Sequence, residues 1–458
     1  SRRSGSPNES IPANKMNRTA LALTLLCPAL LFAEDWPGYR GPTGMGVIQA
    51  KTKLPLRWDA KTGENILWKT PLPLGDGAPD HNQGSPIVAQ GRIFLTSCVW
   101  AADADRKATQ PEHHVTCYRL ADGKQLWDRI VKPGPWVISD LRGGYAAPTP
   151  ASDGKRVYAA FGSSILHALT LDGKPVWSQV IPDHAAFDAA MAVSPIVVGD
   201  TVILLTDRKS SKATIQAFDT TTGKQRWQRK REKTSFGHAT PILAQVKGRP
   251  QLLVSATNAL QGVDPHNGEV IWSCKWGRGI WPVSSPVMTK GLIYCMGGRG
   301  GHPGLIVDPR GTGDVTATHL KTKLGPAPSG LGSPVAYGDL VFRMSQPGIL
   351  LCVRITSGKE LYKERLPQGI DPAISPVVTS DGLIFIASAG KSLVVRAAEK
   401  FELLGESDLG DNSHASVAVS EGKLILKGKS TCGASGKAMF VENVNTHSQS
   451  ACPRRRPE

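Results

Sequence analysis

Ala217-Phe-Asp-Thr-Thr-Thr-Gly-Lys-Gln-Arg-Trp227 reads as the end of one strand, a tight turn and the start of the next. The Asp219 carboxylate can fold back onto the N–H groups of the turn. Gly223 supplies the positive φ that a residue with a Cβ adopts only at a cost. Four residues on, Trp227 can bury about 150–250 Å² of aromatic surface, an upper bound near ~4–6 kcal/mol.

The pattern recurs. Upstream stand Asp122-Gly123-Lys124-Gln-Leu-Trp127 and Asp172-Gly173-Lys174-Pro-Val-Trp177. Downstream stand Asp264-Pro-His-Asn-Gly268-Glu-Val-Ile-Trp272 and Thr356-Ser-Gly358-Lys359-Glu-Leu-Tyr362, with a looser Asp308-Pro-Arg-Gly-Thr-Gly313-Asp314 between them. The glycine-to-aromatic offset is constant in the five tight copies, and copies about 40–60 residues apart indicate a propeller or a solenoid.

A second signal interleaves with the first. Ser85-Pro86, Ser194-Pro195, Thr240-Pro241, Ser285-Pro286, Ser333-Pro334 and Ser375-Pro376 each precede an apolar run, a turn and another apolar run. Ala147-Pro148 reads as a weaker copy, and Ser416-Val417 lacks the proline. Proline suits the first residue of a strand, where no ladder N–H is needed. One repeat is then four antiparallel strands, a propeller blade. Asn65-Ile-Leu-Trp68-Lys-Thr-Pro71 looks like a lone fourth strand, while His414 to Lys427 begins a blade that needs finishing. The expected fold is all-β, eight blades closed by the N-terminal strand, with seven blades as the alternative.

The Ala-x-Asp-x-x-Thr-Gly-Lys-x-x-Trp form at 217–227 resembles the tryptophan-docking repeat of quinoprotein-type, pyrroloquinoline-quinone (PQQ)-like propellers. The opening Asp35-Trp36-Pro-Gly-Tyr-Arg40-Gly41-Pro42-Thr-Gly44 resembles the start of secreted bacterial PQQ-like repeat proteins. The resemblance covers Asp35 to about Lys429 and implies that Trp68, Trp127, Trp177, Trp227, Trp272 and Tyr362 dock each blade on its neighbour. The family holds PQQ alcohol dehydrogenases as well as non-enzymatic relatives such as the lipoprotein subunit of the outer-membrane barrel assembly machinery.

At the N-terminus, Met16-Asn17-Arg18 and the apolar run Thr19 to Phe32 read as a secretory signal with cleavage after Ala33. The apolar run is too short for a membrane span. Residues 1–33 are therefore expected to be upstream sequence and signal, 34–430 the propeller, and 431–458 a disordered or aberrant tail. Localisation is expected to be periplasmic or extracellular.

The formal net charge is +16, from 54 Lys+Arg against 38 Asp+Glu. A basic surface favours anionic partners, although lysines at the glycine turns also serve simple solvation. For an exported protein, nucleic acid is the least expected partner. Of eight cysteines, Cys98 and Cys117 sit in neighbouring strands and can be weighed as a disulfide, and export permits one. No Cys-x-x-Cys or zinc-spaced cluster occurs, so no metal is expected.

Residues three places before each proline, or its equivalent, should ring one mouth of the channel: Gln83, Tyr145, Ala192, His238, Val283, Leu331, Ala373 and His414. Gln83, Tyr145, His238 and His414, with Trp281 nearby, are the ligand-contacting candidates, weighed against a structural role in joining the blade tops. Neighbouring loops add His81, Asp140, Arg142, His184, Asp371 and Asn412, while His113 and His114 are expected to be exposed. No catalytic residue can be assigned: the sequence has no Cys-Cys dipeptide of the PQQ dehydrogenases, no Gly-x-Ser-x-Gly elbow and no His-Glu-x-x-His. The expected function is binding or scaffolding of protein or cell-envelope partners by a monomer without a cofactor. A PQQ-binding oxidoreductase and a carbohydrate-binding propeller are the alternatives.

Overall fold

The computed structural model of the protein describes residues 35–49, 51–138, 143–181, 191–207, 213–231, 237–276, 281–296, 304–325, 330–411 and 413–436. Eight sheets follow one another along the chain, each built around four antiparallel strands. The third blade is typical: Ile196–Val198, Thr201–Thr206, Thr214–Asp219 and Gln225–Lys230 pair in sequence order. The eighth is closed from both ends of the chain. Ile66–Pro71 pairs with Thr431–Gly436, which pairs with Lys423–Lys427. Closure in this way leaves no blade short of a strand, and the sheet edges that remain are short and protected.

Thr431–Gly436 corrects the expected boundary at Ser430. This strand, Thr-Cys-Gly-Ala-Ser-Gly, has one β-branched residue and no strand signature of its own. Pairing on both sides holds it in place instead. The signal-peptide reading of 1–33 and the remainder of the tail from 437 lie outside the described residues. No described helix is long and apolar enough to cross a membrane.

Every outer strand carries a register shift at one position, skipping Leu67, Leu126, Val176, Arg226, Ile271, Lys321, Leu361 and Leu404 in turn. A bulge leaves the added residue out of the ladder and re-aims the side chain that follows it. That next residue is the docking aromatic in six blades, Thr322 in the fifth and Gly405 in the seventh. The exceptions have local causes. Thr322 sits against Gly358, and the Leu56 carbonyl takes up the space beside Gly405.

At three successive joints the packing is the same. The indole lies against the turn glycine of the next blade, pairing Trp68 with Gly123, Trp127 with Gly173 and Trp177 with Gly223. Each indole N–H donates to a carbonyl just before that glycine: Leu120 (3.2 Å), Leu171 (3.0 Å) and Thr220 (3.1 Å). The residue two places on (Thr70, Arg129 and Gln179) donates to the glycine carbonyl itself. Trp227 packs on Gly268. Trp272 turns into its own blade, against Gly262, and donates to Gln251 at 2.8 Å. The Gly313–Asp314 stretch explains that departure, since it lies parallel to Trp272 and Ser273 and covers the outer edge. Tyr362 meets Phe401 of the next blade edge-on at 6.1 Å.

Candidate functional site

The inner strands meet in a ring of hydroxyls. The Ser85 N–H donates to the Thr149 hydroxyl, Thr149 to Ser194, and Ser194 to Thr240. Ser285 donates to Ser333, Ser333 to Ser375, Ser375 to Ser416, and Ser416 back to Ser85, all seven links spanning 2.9–3.2 Å. At the remaining joint the Ser285 hydroxyl donates to the Thr240 carbonyl at 2.6 Å. This ring is why serine or threonine precedes the strand: a small hydroxyl accepts the neighbour's N–H where no water reaches it. It also corrects the second-blade register. Thr149-Pro150, and not Ala147-Pro148, begins that blade, because only Thr149 supplies the hydroxyl.

The opening motif lies across this ring. Trp36 pairs with Val88 of the first blade, the Pro37 carbonyl accepts the Ser152 N–H of the second, and Gly46 and Ile48 bond to Val378 of the seventh. The Tyr39 hydroxyl is 3.0 Å from the Ser333 hydroxyl and 3.3 Å from that of Ser375. Arg40, 1% exposed, donates through Nη2 to the carbonyls of Met45, Pro334 and Pro376. Residues 36–48 thus stopper the axis from the side of the glycine turns.

The named mouth residues are placed as follows. His414 is partly exposed and paired through Nδ1 with Asp371, whose carboxylate raises its pKa. His238 is half-buried and donates its backbone N–H to Pro282, which sets it beside Trp281, itself 45% exposed. Gln83 and His81 are half-buried. Tyr145 is fully buried. Its hydroxyl accepts the Ile138 N–H at 2.9 Å, and its own N–H donates to Asp80 at 2.6 Å. With Thr149 setting the register, Ala147 takes the ring position expected of Tyr145. The structure therefore joins His414 to Asp371 and His238 to the Trp281 loop, and draws Tyr145 inside. Asp140, Arg142, His184 and Asn412 lie outside the described residues.

His113 and His114 are both buried, contrary to expectation. His113 bonds the Pro111 carbonyl (2.8 Å) and the Ser163 hydroxyl (2.9 Å), and burial pushes its pKa down to about 4. His114 pairs with Asp128. The cysteines named as a disulfide pair are free: Cys98 faces His113 across the ladder and Cys117 faces Phe94, which separates them along the strands.

One functional-looking group went unforeseen. Lys427 is buried in the closing blade, and its ammonium donates to the carbonyls of Asn82, Gly84 and Thr96 in the first blade, each at 2.8 Å. Burial lowers its pKa to about 7, opposed by nearby Cys98, Cys432 and Asp80. The sequence signal was a lysine inside the apolar strand Lys-Leu-Ile-Leu-Lys.

Quinoprotein dehydrogenases hold a flat tricyclic quinone over a divalent cation in this channel, and the described residues do not fit that group. At the level of the hydroxyl ring the axis is taken by Tyr39 and Arg40. Among the described residues no carboxylate pairs with the guanidinium, and its acceptors are backbone carbonyls.

Fold and stopper together define the class, an eight-bladed propeller of the quinoprotein type. The family model described as outer membrane protein assembly factor BamB matches residues 111–364, more than half of the chain, and the chain belongs to that family. BamB from Moraxella catarrhalis superposes with a TM-score of 0.54 at 15% identity, covering 82% of this chain and 98% of that one. The computationally designed Ika8 protein gives 0.54 at 12% identity, covering 81% and 99%. A serine/threonine-protein kinase, AfsK from Streptomyces griseus, is 26% identical over 302 residues, which is 63% of this chain and 31% of that protein.

Proposed function

We propose that the protein is an extracytoplasmic binding platform whose loop face, around Gln83, His238, Trp281 and His414, takes up a protein or cell-envelope partner. The observation that carries this reading is the stopper. Tyr39 and Arg40 close the axis from the turn side, so an approaching molecule meets loops and blade joints and not an open channel. Family membership alongside an outer-membrane protein assembly factor supports an envelope partner.

The test is retention on the immobilised full chain from a detergent extract of the source cell's envelope, compared with a Trp281→Ala/His414→Ala double variant. A small set of proteins held by the parent and lost from the variant supports the reading. Equal retention by both contradicts it. Addition of PQQ with Ca²⁺ should leave the spectrum unchanged and alcohols unoxidised; a saturable absorbance change with dye reduction would favour an oxidoreductase.

A second reading, carbohydrate binding, is favoured by the exposed face of Trp281, since sugar rings stack on such faces. A glycan array with Trp281→Ala as control separates it from the first.

A further inference from the structure

The joint between the third and fourth blades is built differently from those before it. At Trp68, Trp127 and Trp177 the indole N–H and the residue two places on both reach acceptors in the next blade. At Trp227 the indole nitrogen is buried without an acceptor. Arg229, two places on, lies 3.5 Å from Glu269 at the surface.

A cavity of about 200 Å³ opens beside this joint. Ile215, Ala256, Ala259 and Val270 make its apolar wall, and Arg229 and Lys230 stand at its rim. Arg231, also at the wall, is fixed by two bonds to Asp207 (2.6 and 3.2 Å) and one to Gln261 (3.0 Å). Asp207 cancels that buried charge. Glu269, 65% exposed, shares Arg229 only across a loose and screened contact. Lys230 has no carboxylate partner among the described residues. An incoming anion therefore meets Lys230, which no described carboxylate compensates, and Arg229, which a better partner can recruit.

We propose that this cleft receives a glutamate-like side chain of an acidic peptide segment belonging to a protein partner. The apolar wall suits the methylenes, and the two cations at the mouth suit the carboxylate. The lining holds no aromatic ring on which a sugar could stack, which sets an anionic polysaccharide aside. The proposal rests on the reading of the chain as a protein-binding platform and names a second contact point, on its flank.

The test uses the full chain and a fluorescein-labelled peptide, Gly-Leu-Glu-Val-Glu-Leu with an amidated end, read by fluorescence anisotropy. The acidic peptide should bind, with affinity falling as salt rises, and its Gln-for-Glu counterpart should not. Lys230→Glu and Val270→Glu, both at exposed positions, should each weaken binding about tenfold. Their melting curves should match the parent's. Lys174→Glu, an exposed turn lysine of the second blade, should bind as the parent does, and polygalacturonate should not displace the peptide. Equal binding of both peptides, equal weakening by Lys174→Glu, or displacement by polygalacturonate would overturn the proposal. Envelope-protein retention sensitive to Trp281 but indifferent to Lys230→Glu would leave the platform standing and remove only the cleft.

Discussion

Trp127 lies flat against Gly173 of the next blade, so close that a Cβ on the glycine would stand 2.7 Å from ring atom Cδ2. Its N–H holds the Leu171 carbonyl, Arg129 bonds the Gly173 carbonyl, and the Arg129 guanidinium sits 5.9 Å from the indole. The turn glycine is thus required twice, for its positive φ and for the room it leaves. Gly154 has the same φ, +79°, with nothing near its missing side chain. Gly154→Ala should cost about 1 kcal/mol from the backbone alone. Gly173→Ala should cost a further 1–3 kcal/mol or so from overpacking. Urea unfolding of the two variants checks the difference; equal losses would mean the ring does not bear on the glycine.

The tryptophans are not equivalent. Trp127 is 9% exposed and hydrogen-bonded, so Trp127→Phe should lose about 1–2 kcal/mol, leaving the Leu171 carbonyl without its donor. Trp227 has no acceptor to lose, and Trp227→Phe should be close to neutral in the same urea unfolding. Truncation to alanine should cost ~3–5 kcal/mol at Trp127 and less at Trp227, which is only partly buried.

The hydroxyl ring gives a third test. Ser333 accepts from the Ser285 N–H and bonds Tyr39, so Ser333→Ala leaves a buried N–H unsatisfied and loosens the stopper. About 1–3 kcal/mol should be lost, with faster amide exchange at Ser285 as the local signature.

Lys427 predicts a pH dependence of defined sign. Its folded pKa, about 7, is below the ordinary 10.5, so the unfolded chain binds the extra proton between those values. Stability should rise from pH 7 towards 9, by about 1 kcal/mol per unit from this group, and level off as pH falls below 7. Above pH 9 the buried thiols oppose it. Cys295 and Cys432, pushed up to about 12, hold protons that the unfolded chain releases near 9. Lys427→Met should flatten the rise between 7 and 9 while leaving the alkaline fall. Denaturant melts at half-unit pH steps measure both.

Much of the wheel was legible because its joints repeat a chemistry that few residues can supply. A glycine four places before an aromatic marks a turn pressed by an indole, and a hydroxyl before proline marks the inner ring. Where the chemistry is shared out differently, local pattern does not decide the structure. Two prolines two residues apart hid the choice between Ala147 and Thr149, which only the neighbour's N–H decides. Thr431–Gly436 is a strand by virtue of its two partners, not its composition. Tyr39, Arg40 and Lys427 act on residues some 290 to 345 positions away, and no local pattern announces such partners. The same two-residue ambiguity separates Tyr145 from the ring position that Ala147 takes.

Photo-crosslinking in the living source cell, with benzoylphenylalanine at 281, at 414 and at the turn position 174, asks directly which face of the propeller meets a partner. Adducts to the same one or few envelope proteins are expected from positions 281 and 414, and none from 174, which lies on the stoppered side. Adducts equally abundant from all three positions, or from 174 alone, would contradict a platform whose working surface is the loop face.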